Sequence, residues 1–408
     1  MNVIMFLTKD EELILEGESG SVLARAMKLI VTIGDLKGAE RLVAISRSQI
    51  AGVSYKTSGD PTLELMESLA DEGVKVRTHA TQNPAGMDLE RWKDMKVSPQ
   101  FAMKQLRICN AYKNLGIKPI CTCTPYLSGN RPKLDEVVGF SESSAVAYVN
   151  SVIGARTNRH GGLDALSCAL VGKVPLMGLL LNENRSGSVY VDIEFEPNDE
   201  SDYAAIGYYT GKNLKTGEIP VFTGLKNASS DSLKLLGAAA AAAGSVGLFH
   251  VLDVTPEAKN KYLVKKWMIE ERLNMDKKAL KSVYDELSIT ETPDLVCLGC
   301  PHCSVNEVHE IAKKLEGRKV KRGINFWVYT SPNVYDESLK LGYVDTIRSS
   351  GGDVFRHTCM VVSPLEEMGF EKLISNSAKA CFYVPRMTKG KSTCGLASQK
   401  QCVDEFSE

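Results

Sequence analysis

The sequence has no excess of charge of either sign. Its 49 lysine and arginine residues are balanced by 50 aspartate and glutamate residues, and the formal net charge is -1. Such a chain has no overall field that would favour nucleic acid or an anionic membrane, and only a local basic patch is compatible with this composition. It also has no G-x-G-x-x-G motif after a strand and no Walker lysine loop, so nucleotide use has no support.

Long apolar runs are scarce as well. Residues 1–8 are followed at once by a Lys-Asp-Glu-Glu run, which excludes the apolar core of a secretory leader. One uncharged stretch, Leu235 to Leu252, has the length of a membrane span, but His250 and a run of Ala and Gly favour a tightly packed buried helix and strand. With 43% hydrophobic and 24% charged residues, the composition is typical of a globular protein, which we expect to be cytoplasmic.

What the sequence does contain is an alternation of short strands and amphipathic helices. The elements predicted in the first third are a helix from the Thr8 and Glu11 capping box to about Val31, a strand at Arg41 to Ile50, a helix from Asp60-Pro61, a strand at Val74 to Thr78, a helix from Ser98-Pro99 to about Leu115 and a strand at Ile117 to Thr122. In the middle third they are a helix from about Glu142 to Ile153, strands at Val189 to Phe195 and Ile219 to Thr223, the Ala-rich helix, and a charged helical surface connector from Thr255 to about Leu287.

The last third returns to regular alternation. Its predicted elements are a strand at Leu295 to Leu298, a helix from the Ser304 and Glu307 capping box, a strand at Ile324 to Tyr329, a helix after Pro332 and a strand at Asp353 to His357. Repeated strand, loop and helix units predict an α/β fold of parallel sheets with helices on both faces. The length of 408 residues suggests two or three domains, and we place the boundaries near 135 and 290, which gives domains 1–135, 136–290 and 291–408.

Eleven cysteines are many for a reducing compartment, where cysteines are more often catalytic or metal-binding than paired in disulfides. Cys123, Cys300 and Cys359 each follow a predicted strand and begin a loop. Ligands of parallel sheets bind beyond the carboxyl ends of the strands, so these thiols are expected to converge. Three thiolates could hold an iron–sulfur cluster or a single iron and leave one metal position open for substrate.

Other interpretations of the cysteines stay open. A free cysteine often acts as a small apolar side chain, and this is favoured for Cys109, Cys168 and Cys381. The C-x-x-C-x-x-C run at 297–303 is similar to part of a ferredoxin signature, but the fourth cysteine is missing. A zinc site is also weakly supported, because His302 and His309 do not give the usual finger spacing.

Several polar segments suit an anionic substrate. The Gly52-Val53-Ser54 and Asn83-Pro84 loops offer backbone N–H groups, and Glu142-Ser143 opens a helix where a carboxylate can move a proton. Lys379 could clamp a carboxylate or phosphate, and the loop at 156–162 holds three potentially cationic side chains. Each segment also has a plain structural explanation as a turn, a helix cap or a solvated side chain.

Six separated motifs occur in order along the chain. They are Cys123-Thr124-Pro125-Tyr126, Glu142-Ser143-Ser144, Gly154-Ala155-Arg156-Thr157-Asn158-Arg159, Gly299-Cys300-Pro301-His302, Thr358-Cys359-Met360-Val361-Val362-Ser363-Pro364 and Asn376-Ser377-Ala378-Lys379. With these motifs and its opening from Leu7 to Thr57, the chain resembles the aconitase X family over nearly its whole length. It looks like the large subunit of the archaeal two-subunit type.

This resemblance implies an aconitase-like α/β fold with several doubly wound parallel-sheet domains around a central cleft, without the swivelling domain. It implies a hydro-lyase of the mevalonate pathway that converts (R)-5-phosphomevalonate to trans-anhydromevalonate 5-phosphate and water. It also implies a [4Fe–4S] cluster, or an iron centre of reduced nuclearity, held by Cys123, Cys300 and Cys359. A separate small swivelling-domain subunit is the implied partner and closes over the site.

The resemblance also assigns the substrate contacts. The matching positions are Gly52, Val53, Ser54, Asn83, Pro84, Glu142, Ser143 and Lys379. Among them, Glu142, Ser143 and Lys379 are the expected catalytic residues, with Glu142, Ser143 or a serine of the small subunit moving the proton and Lys379 neutralising an anionic end of the substrate.

Two alternative functions stay open from the sequence. A cis-3-hydroxy-L-proline dehydratase of the same family would need a pocket that accepts a cationic ring nitrogen. A non-catalytic iron–sulfur or zinc protein would use the cysteine run at 297–303 instead.

Overall fold

The computed structural model describes residues 5–259 and 261–408. Residues 1–4 lie outside the described residues. They are part of the segment on which the expectation about a secretory leader depends. The helices are α1 (Lys9–Glu16), α2 (Ser21–Lys37), α3 (Tyr55–Asp71), α4 (Pro99–Asn114), α5 (Ser143–Tyr148), α6 (Gly162–Val171), α7 (Glu200–Asn213), α8 (Ser230–Gly244), α9 (Lys261–Lys266), α10 (Lys277–Glu286), α11 (Val305–Leu315), α12 (Pro332–Lys340), α13 (Tyr343–Ser349), α14 (Leu365–Met368), α15 (Ala378–Met387) and α16 (Gln399–Asp404).

The strands are β1 (Leu42–Ala44), β2 (Arg47–Ile50), β3 (His79–Gln82), β4 (Gly139–Phe140), β5 (Lys173–Pro175), β6 (Val189–Ile193), β7 (Pro220–Thr223), β8 (His250–Val251), β9 (Glu271–Met275), β10 (Leu295–Cys303), β11 (Asn325–Thr330), β12 (Asp353–Arg356), β13 (Lys372–Ser375) and β14 (Thr393–Leu396). Short 3₁₀ turns at Pro125–Leu127, Gly178–Leu180, Asn182–Arg185 and Pro256–Lys259 and one π turn at Val149–Ile153 complete the described elements.

Three parallel sheets organise the described part of the chain. Their strand orders are β3-β2-β4, β8-β7-β6-β9 and β12-β11-β10-β13-β14. All pairs within them are parallel, and β1 and β5 form a separate antiparallel pair. The predicted α/β fold of several parallel sheets is therefore confirmed, while the domain boundaries near 135 and 290 stay predictions.

The first predicted helix is in fact two helices. The Thr8 and Glu11 capping box is present, since each side chain accepts a hydrogen bond from the other residue's backbone N–H. The helix ends where Gly17 adopts a φ of 100°, and Gly20, with a φ of 96°, precedes α2. Residues other than glycine rarely adopt such angles, so this pair of glycines breaks the amphipathic stretch.

Three strand predictions in the same region differ from the structure. Val74 to Thr78 is not a strand, because β3 begins at His79. The predicted strand at Arg41 to Ile50 is divided into β1 and β2, which belong to different sheets. The segment at 117–122 runs beside β3 but forms only an isolated bridge, because Pro119 has no N–H to donate to a ladder.

The charged region from Thr255 to Leu287 is not a surface connector. It contains β9, which pairs with β6 over five residue pairs, followed by α10. Most of β9 is exposed or half-buried at the edge of its sheet, so it lacks the alternation by which strands are recognised. Within this region, position 260 lies outside the described residues.

The uncharged stretch at 235–252 forms the interior of the protein. It contains most of α8, which packs against α7, and then β8, so the predicted buried helix and strand are confirmed. None of the helices described here combines the length and the apolar character that crossing a membrane requires.

The central strand of the third sheet is longer than predicted. It continues from Leu295 through Cys303, so Cys300 lies within β10 rather than in the following loop. Gly299 permits this path, because its φ is 105° and a Cβ built there would lie 2.2 Å from the Tyr329 carbonyl oxygen. The capping box of Ser304 and Glu307 then opens α11, as predicted.

Candidate active site

One pocket gathers most of the residues predicted to form the site. It has a volume of about 270 Å³ and is lined by Asn83, Pro84, Cys123, Ser141, Glu142, Ser143, Cys300, Cys359, Val361, Val362, Lys379, Tyr383 and Met387. All three predicted metal ligands and most of the predicted substrate contacts are among them. The pocket therefore joins residues that are up to about 300 positions apart in the sequence.

The ends of parallel strands place these residues together. Asn83 follows β3 directly, Glu142 follows β4 and precedes α5, and Cys359 comes shortly after β12. Lys379 lies in the first turn of α15, which follows β13. The pocket thus lies at the carboxyl ends of the first and third sheets, as expected for ligand sites of parallel sheets.

Lys379 and Glu142 form an ion pair in the pocket wall. The Lys379 ammonium donates to Glu142 Oε1 and, over 3.2 Å, to Ser144 Oγ. Asn83 Nδ2 donates to the other carboxylate oxygen of Glu142 over 2.8 Å. The two charged side chains are only 8% and 13% exposed, so both depend on protein partners rather than on water.

The surroundings keep both members of this pair charged. Burial by itself raises the pKa of Glu142, but the charge of Lys379 and the hydrogen bonds from Lys379, Asn83 and Ser144 outweigh it and lower this pKa to about 2. Burial alone lowers the pKa of Lys379, and the attraction of Glu142 reverses this, so that its pKa is raised. At neutral pH the pocket therefore holds an ionised carboxylate and an ammonium group in direct contact.

The three predicted metal ligands are buried thiols facing the same cavity. Cys123, Cys300 and Cys359 are only 4%, 2% and 5% exposed. Burial raises the pKa of Cys123 to about 12, and the nearby Cys359 adds to the increase. The pKa of Cys359 is also raised, first by its contact with Cys300 and then by burial. A cation would therefore have to stabilise the thiolate forms, as thiolate-binding metals do.

His302 contacts the segments that carry Cys123 and Cys359, and the sequence did not identify it as part of the site. Its backbone N–H donates to Cys123 Sγ over 3.2 Å. Its ring nitrogens lie 2.9 Å from Thr122 Oγ1 and 2.7 Å from the Thr358 carbonyl oxygen. Burial lowers its pKa to about 4, so the ring is neutral.

The Gly52-Val53-Ser54 loop supports the pocket wall but does not line the cavity. Ser54 Oγ donates to the Val362 carbonyl oxygen over 2.8 Å, and the Val53 carbonyl oxygen accepts from Gln105. Their predicted contact with substrate stays a prediction.

The cationic loop at 156–162 also lies outside the cavity lining. Arg156 pairs with Asp135, and Arg159 donates to the Ser245 carbonyl oxygen over 2.8 Å. Both side chains are therefore held by other parts of the protein.

The C-x-x-C-x-x-C run does not form a single cluster of thiols. Cys300 faces the cavity, whereas Cys297 Sγ lies 3.5 Å from the Ile374 carbonyl oxygen. Cys303 lies near the buried Lys234 and Glu307 pair, and burial raises the pKa of its thiol. The three side chains point into separate surroundings, which is the opposite of what a metal site built from this run requires.

Another group of potential ligands lies away from the cavity. Within the described ranges, the one set of three or more such side chains whose ligand atoms all lie within 4.8 Å of one another is His160, Asp164 and Cys168. Asp164 accepts from His160 Nδ1 over 2.7 Å and from Cys168 Sγ over 3.5 Å. Hydrogen bonding to the carboxylate accounts for this grouping.

Part of the cavity lining was missed in the sequence. Tyr383 and Met387 follow Lys379 at intervals of four residues on α15, so they extend the same helix face. That spacing could have identified them once Lys379 was placed. Val361 and Val362 lie within the motif around Cys359, and together with the two α15 residues they form the apolar part of the wall.

These features define an α/β protein of the aconitase type, in which residues at the ends of two parallel sheets line a pocket that contains three cysteines. Family models for the first, second and third domains of aconitase X match residues 4–183, 187–285 and 293–408. The chain therefore belongs to the aconitase X family.

Known relatives agree with this assignment. The phosphomevalonate dehydratase large subunit of Methanocaldococcus jannaschii is 44% identical over 96% of this chain and 98% of its own. The crystal structure of Thermococcus kodakaraensis aconitase X in its holo-form is 37% identical, covers 98% of this chain and 100% of its own, and has a TM-score of 0.90. A cis-3-hydroxy-L-proline dehydratase of Pseudomonas aeruginosa is more distant, at 33% identity over 92% of this chain and 66% of its own.

Proposed function

We propose that this chain is the large subunit of a phosphomevalonate dehydratase, a hydro-lyase that converts (R)-5-phosphomevalonate to trans-anhydromevalonate 5-phosphate and water. The observation that carries the proposal is the convergence, in one pocket, of three thiols from three chain segments with the Lys379–Glu142 pair. The high identity to a dehydratase large subunit over almost the full length of both chains supports this substrate over the hydroxyproline.

Cys123, Cys300 and Cys359 would hold a [4Fe–4S] cluster. The donor set fits, because buried thiols are the preferred ligands of iron–sulfur clusters. The three sulfurs do not all lie within 4.8 Å of one another, although Cys359 is in direct contact with Cys300. When bound, such a cluster supplies a Lewis acid that assists the departure of hydroxide, a poor leaving group.

The remaining residues of the pocket bind and orient the substrate. Its volume of about 270 Å³ suits a small metabolite. Lys379 provides the positive charge for a carboxylate or phosphate, and Asn83 and Ser143 offer polar groups beside it. Val361 and Val362 add apolar side chains to the lining, which exclude water.

Glu142 is the residue best placed to accept the proton. With its pKa held near 2 by Lys379, it is a weak base before substrate binds. An anionic substrate group that attracts Lys379 weakens the Lys379–Glu142 contact and thereby raises the pKa of Glu142. Substrate binding would in this way strengthen the base at the moment when it is needed.

A small subunit is the proposed partner. The name of the Methanocaldococcus relative as a large subunit implies a smaller one in that protein. Here the rim of the pocket includes Met387, which is 37% exposed, and the half-buried Tyr383. These side chains offer an apolar edge against which a second subunit could close the site.

The test is an assay of the two-subunit protein under anoxic conditions. The chain is co-expressed with the small subunit from the same source, reconstituted with iron and sulfide, and incubated with (R)-5-phosphomevalonate. We expect a product lighter by one water in mass spectrometry, and only when both subunits and metal are present. Turnover of cis-3-hydroxy-L-proline alone, or a reversible redox couple without any turnover, would contradict the proposal.

Matched cysteine variants test the ligand assignment. Cys359→Ser is expected to abolish iron retention and turnover, because serine does not provide the thiolate that the cluster requires. Cys402→Ser is the control, since Cys402 is also fully buried but lies on α16 outside the pocket. Equal iron contents in the two variants would show that Cys359 is not a ligand.

A further inference from the structure

His302 connects the segments that carry the three pocket cysteines. It lies two residues after Cys300, and its backbone N–H donates to Cys123 Sγ over 3.2 Å. Its ring contacts Thr122, which precedes Cys123, and Thr358, which precedes Cys359. One fully buried side chain thus touches the neighbours of both other cysteines.

Both ring nitrogens of His302 have protein partners. The Thr358 carbonyl oxygen can only accept, so Nε2 carries a proton and donates to it. Nδ1 lies 2.9 Å from the Thr122 hydroxyl oxygen, which is its hydrogen-bond partner. The same hydroxyl oxygen accepts from the Thr124 backbone N–H over 3.1 Å.

A continuous chain of hydrogen bonds therefore runs from one cysteine segment to another. It begins at the Thr124 N–H, passes through the Thr122 hydroxyl and the His302 ring, and ends at the Thr358 carbonyl oxygen. Thr122 and Thr124 lie on either side of Cys123. Because both ring nitrogens are occupied by protein groups, His302 is not itself available as a metal ligand.

We infer that His302 is a positioning residue that fixes the relative placement of Cys123, Cys300 and Cys359 for metal binding. This inference rests on the proposed function, which assigns a cluster to these thiols. Groups that orient metal ligands typically change metal affinity about 10- to 100-fold when they are removed. His302 holds backbone and side-chain groups next to the ligands, so we expect an effect of this size.

The test compares variants that remove the bridge in part or entirely. His302→Leu removes both ring contacts, and Thr122→Val removes the hydroxyl that contacts both Nδ1 and the Thr124 N–H. His302→Gln keeps an amide that can reach the Thr358 carbonyl oxygen. His309→Leu is the control, because its ring packs on Tyr343 with centroids 4.7 Å apart and does not line the pocket. All are reconstituted anaerobically and titrated with an iron chelator.

For His302→Leu we expect iron affinity about 10- to 100-fold below that of the wild-type chain, with an altered electron paramagnetic resonance spectrum of the residual cluster. Thr122→Val should also lower the iron affinity and alter the spectrum, and His302→Gln should lose less affinity than His302→Leu. His309→Leu should match the wild type in both measurements. Thermal unfolding of the metal-free chains separates loss of metal from loss of fold, and Thr122→Val serves if His302→Leu does not fold.

Iron affinity and spectra equal to those of the wild type in His302→Leu and Thr122→Val would overturn the inference and leave the proposed function intact. A wild-type protein that binds iron but does not convert phosphomevalonate would contradict the proposed function alone. A wild-type chain that takes up no iron would contradict both.

Discussion

The Lys379–Glu142 contact places a positive and a negative charge inside a wall that excludes most water. Each group is charged because the other is present, since burial alone would favour the neutral forms. Removing one partner of such a pair leaves an uncompensated buried charge, so a substitution changes the state of the residue that remains. Single variants must therefore be chosen to preserve shape while changing one property.

Glu142→Gln separates proton transfer from binding. Glutamine keeps the size of the side chain and an oxygen that accepts from Asn83, but it cannot accept a proton at neutral pH. If Glu142 is the base, kcat should fall by about 10²- to 10⁴-fold with a much smaller change in KM. Steady-state kinetics of the reconstituted two-subunit enzyme measure both.

Ser144→Ala is the matched control, because its hydroxyl contacts both Glu142 and Lys379 without carrying a charge. We expect its kcat to fall by no more than roughly the tenfold that loss of one ordinary hydrogen bond causes. A change confined to KM in Glu142→Gln would assign this residue to binding and the proton transfer to another group.

Residues of the site differed in how well the sequence could identify them. Cys123, Cys300 and Lys379 lie in motifs that resemble a family, and the pocket brings them together. The role of His302 depends on partners 180 and 56 residues away in the sequence. No local pattern encodes such contacts, since they arise only when the segments pack together.

Among the helices and strands, those with local signals were predicted well. The capping boxes at Thr8 and Ser304 mark the starts of α1 and α11, because both halves of each motif are local in sequence. By contrast, β9 is an exposed edge strand with few apolar residues, and its pairing with β6 is decided by the sheet.

The contact between α7 and α8 depends on small residues. A Cβ built on Gly207 of α7 would lie 2.1 Å from the carbonyl oxygen of Leu236 on α8, which is far closer than atoms can approach. The two helices can therefore pack at this distance only because Gly207 has no side chain. Through α8 this contact supports the Lys234 side chain, which donates to the His302 carbonyl oxygen.

Gly207→Ala should consequently destabilise the protein although alanine is the better helix former. Alanine would gain about 1 kcal/mol in an isolated helix, but forcing the helices apart typically costs about 1–3 kcal/mol. We expect a lower thermal midpoint for the metal-free chain. Gly161→Ala is the control, because Gly161 has a φ of -73° and open space at the Cβ position. A thermal midpoint of Gly207→Ala above that of the wild-type chain would contradict the tight contact between the helices.

At the scale of the whole molecule, the pocket depends on how the first and third sheet regions meet. Lys56 pairs with Glu366, Ser54 donates to the Val362 carbonyl oxygen, and the Ala85 N–H donates to the His357 carbonyl oxygen over 2.7 Å. These contacts flank the segment that contains Cys359. The sequence predicted that the regions converge but not which polar pairs join them, because such pairs are specified only by the three-dimensional arrangement.

Arg91 provides the strongest test of this junction. Its guanidinium donates to both carboxylate oxygens of Asp353 over 2.7 and 2.6 Å and lies 5.1 Å from the centre of the Phe355 ring. Burial raises the pKa of Asp353, but the bonds from Arg91 and Arg348 outweigh it, so the carboxylate stays charged. Arg91→Leu would leave this partly buried charge with Arg348 as its remaining guanidinium partner.

We therefore expect Arg91→Leu to cost about 1–3 kcal/mol, seen as a lower urea midpoint of the metal-free chain. Arg25→Leu is the matched control, because Arg25 also pairs with a carboxylate, that of Glu72, but the two side chains are 63% and 41% exposed. An exposed pair of this kind contributes about 0–1 kcal/mol, since water screens the charges and both side chains lose freedom. Equal midpoints for the two variants would mean that the Arg91–Asp353 pair does not hold the two regions together, and the placement of Cys359 would then depend on its other contacts.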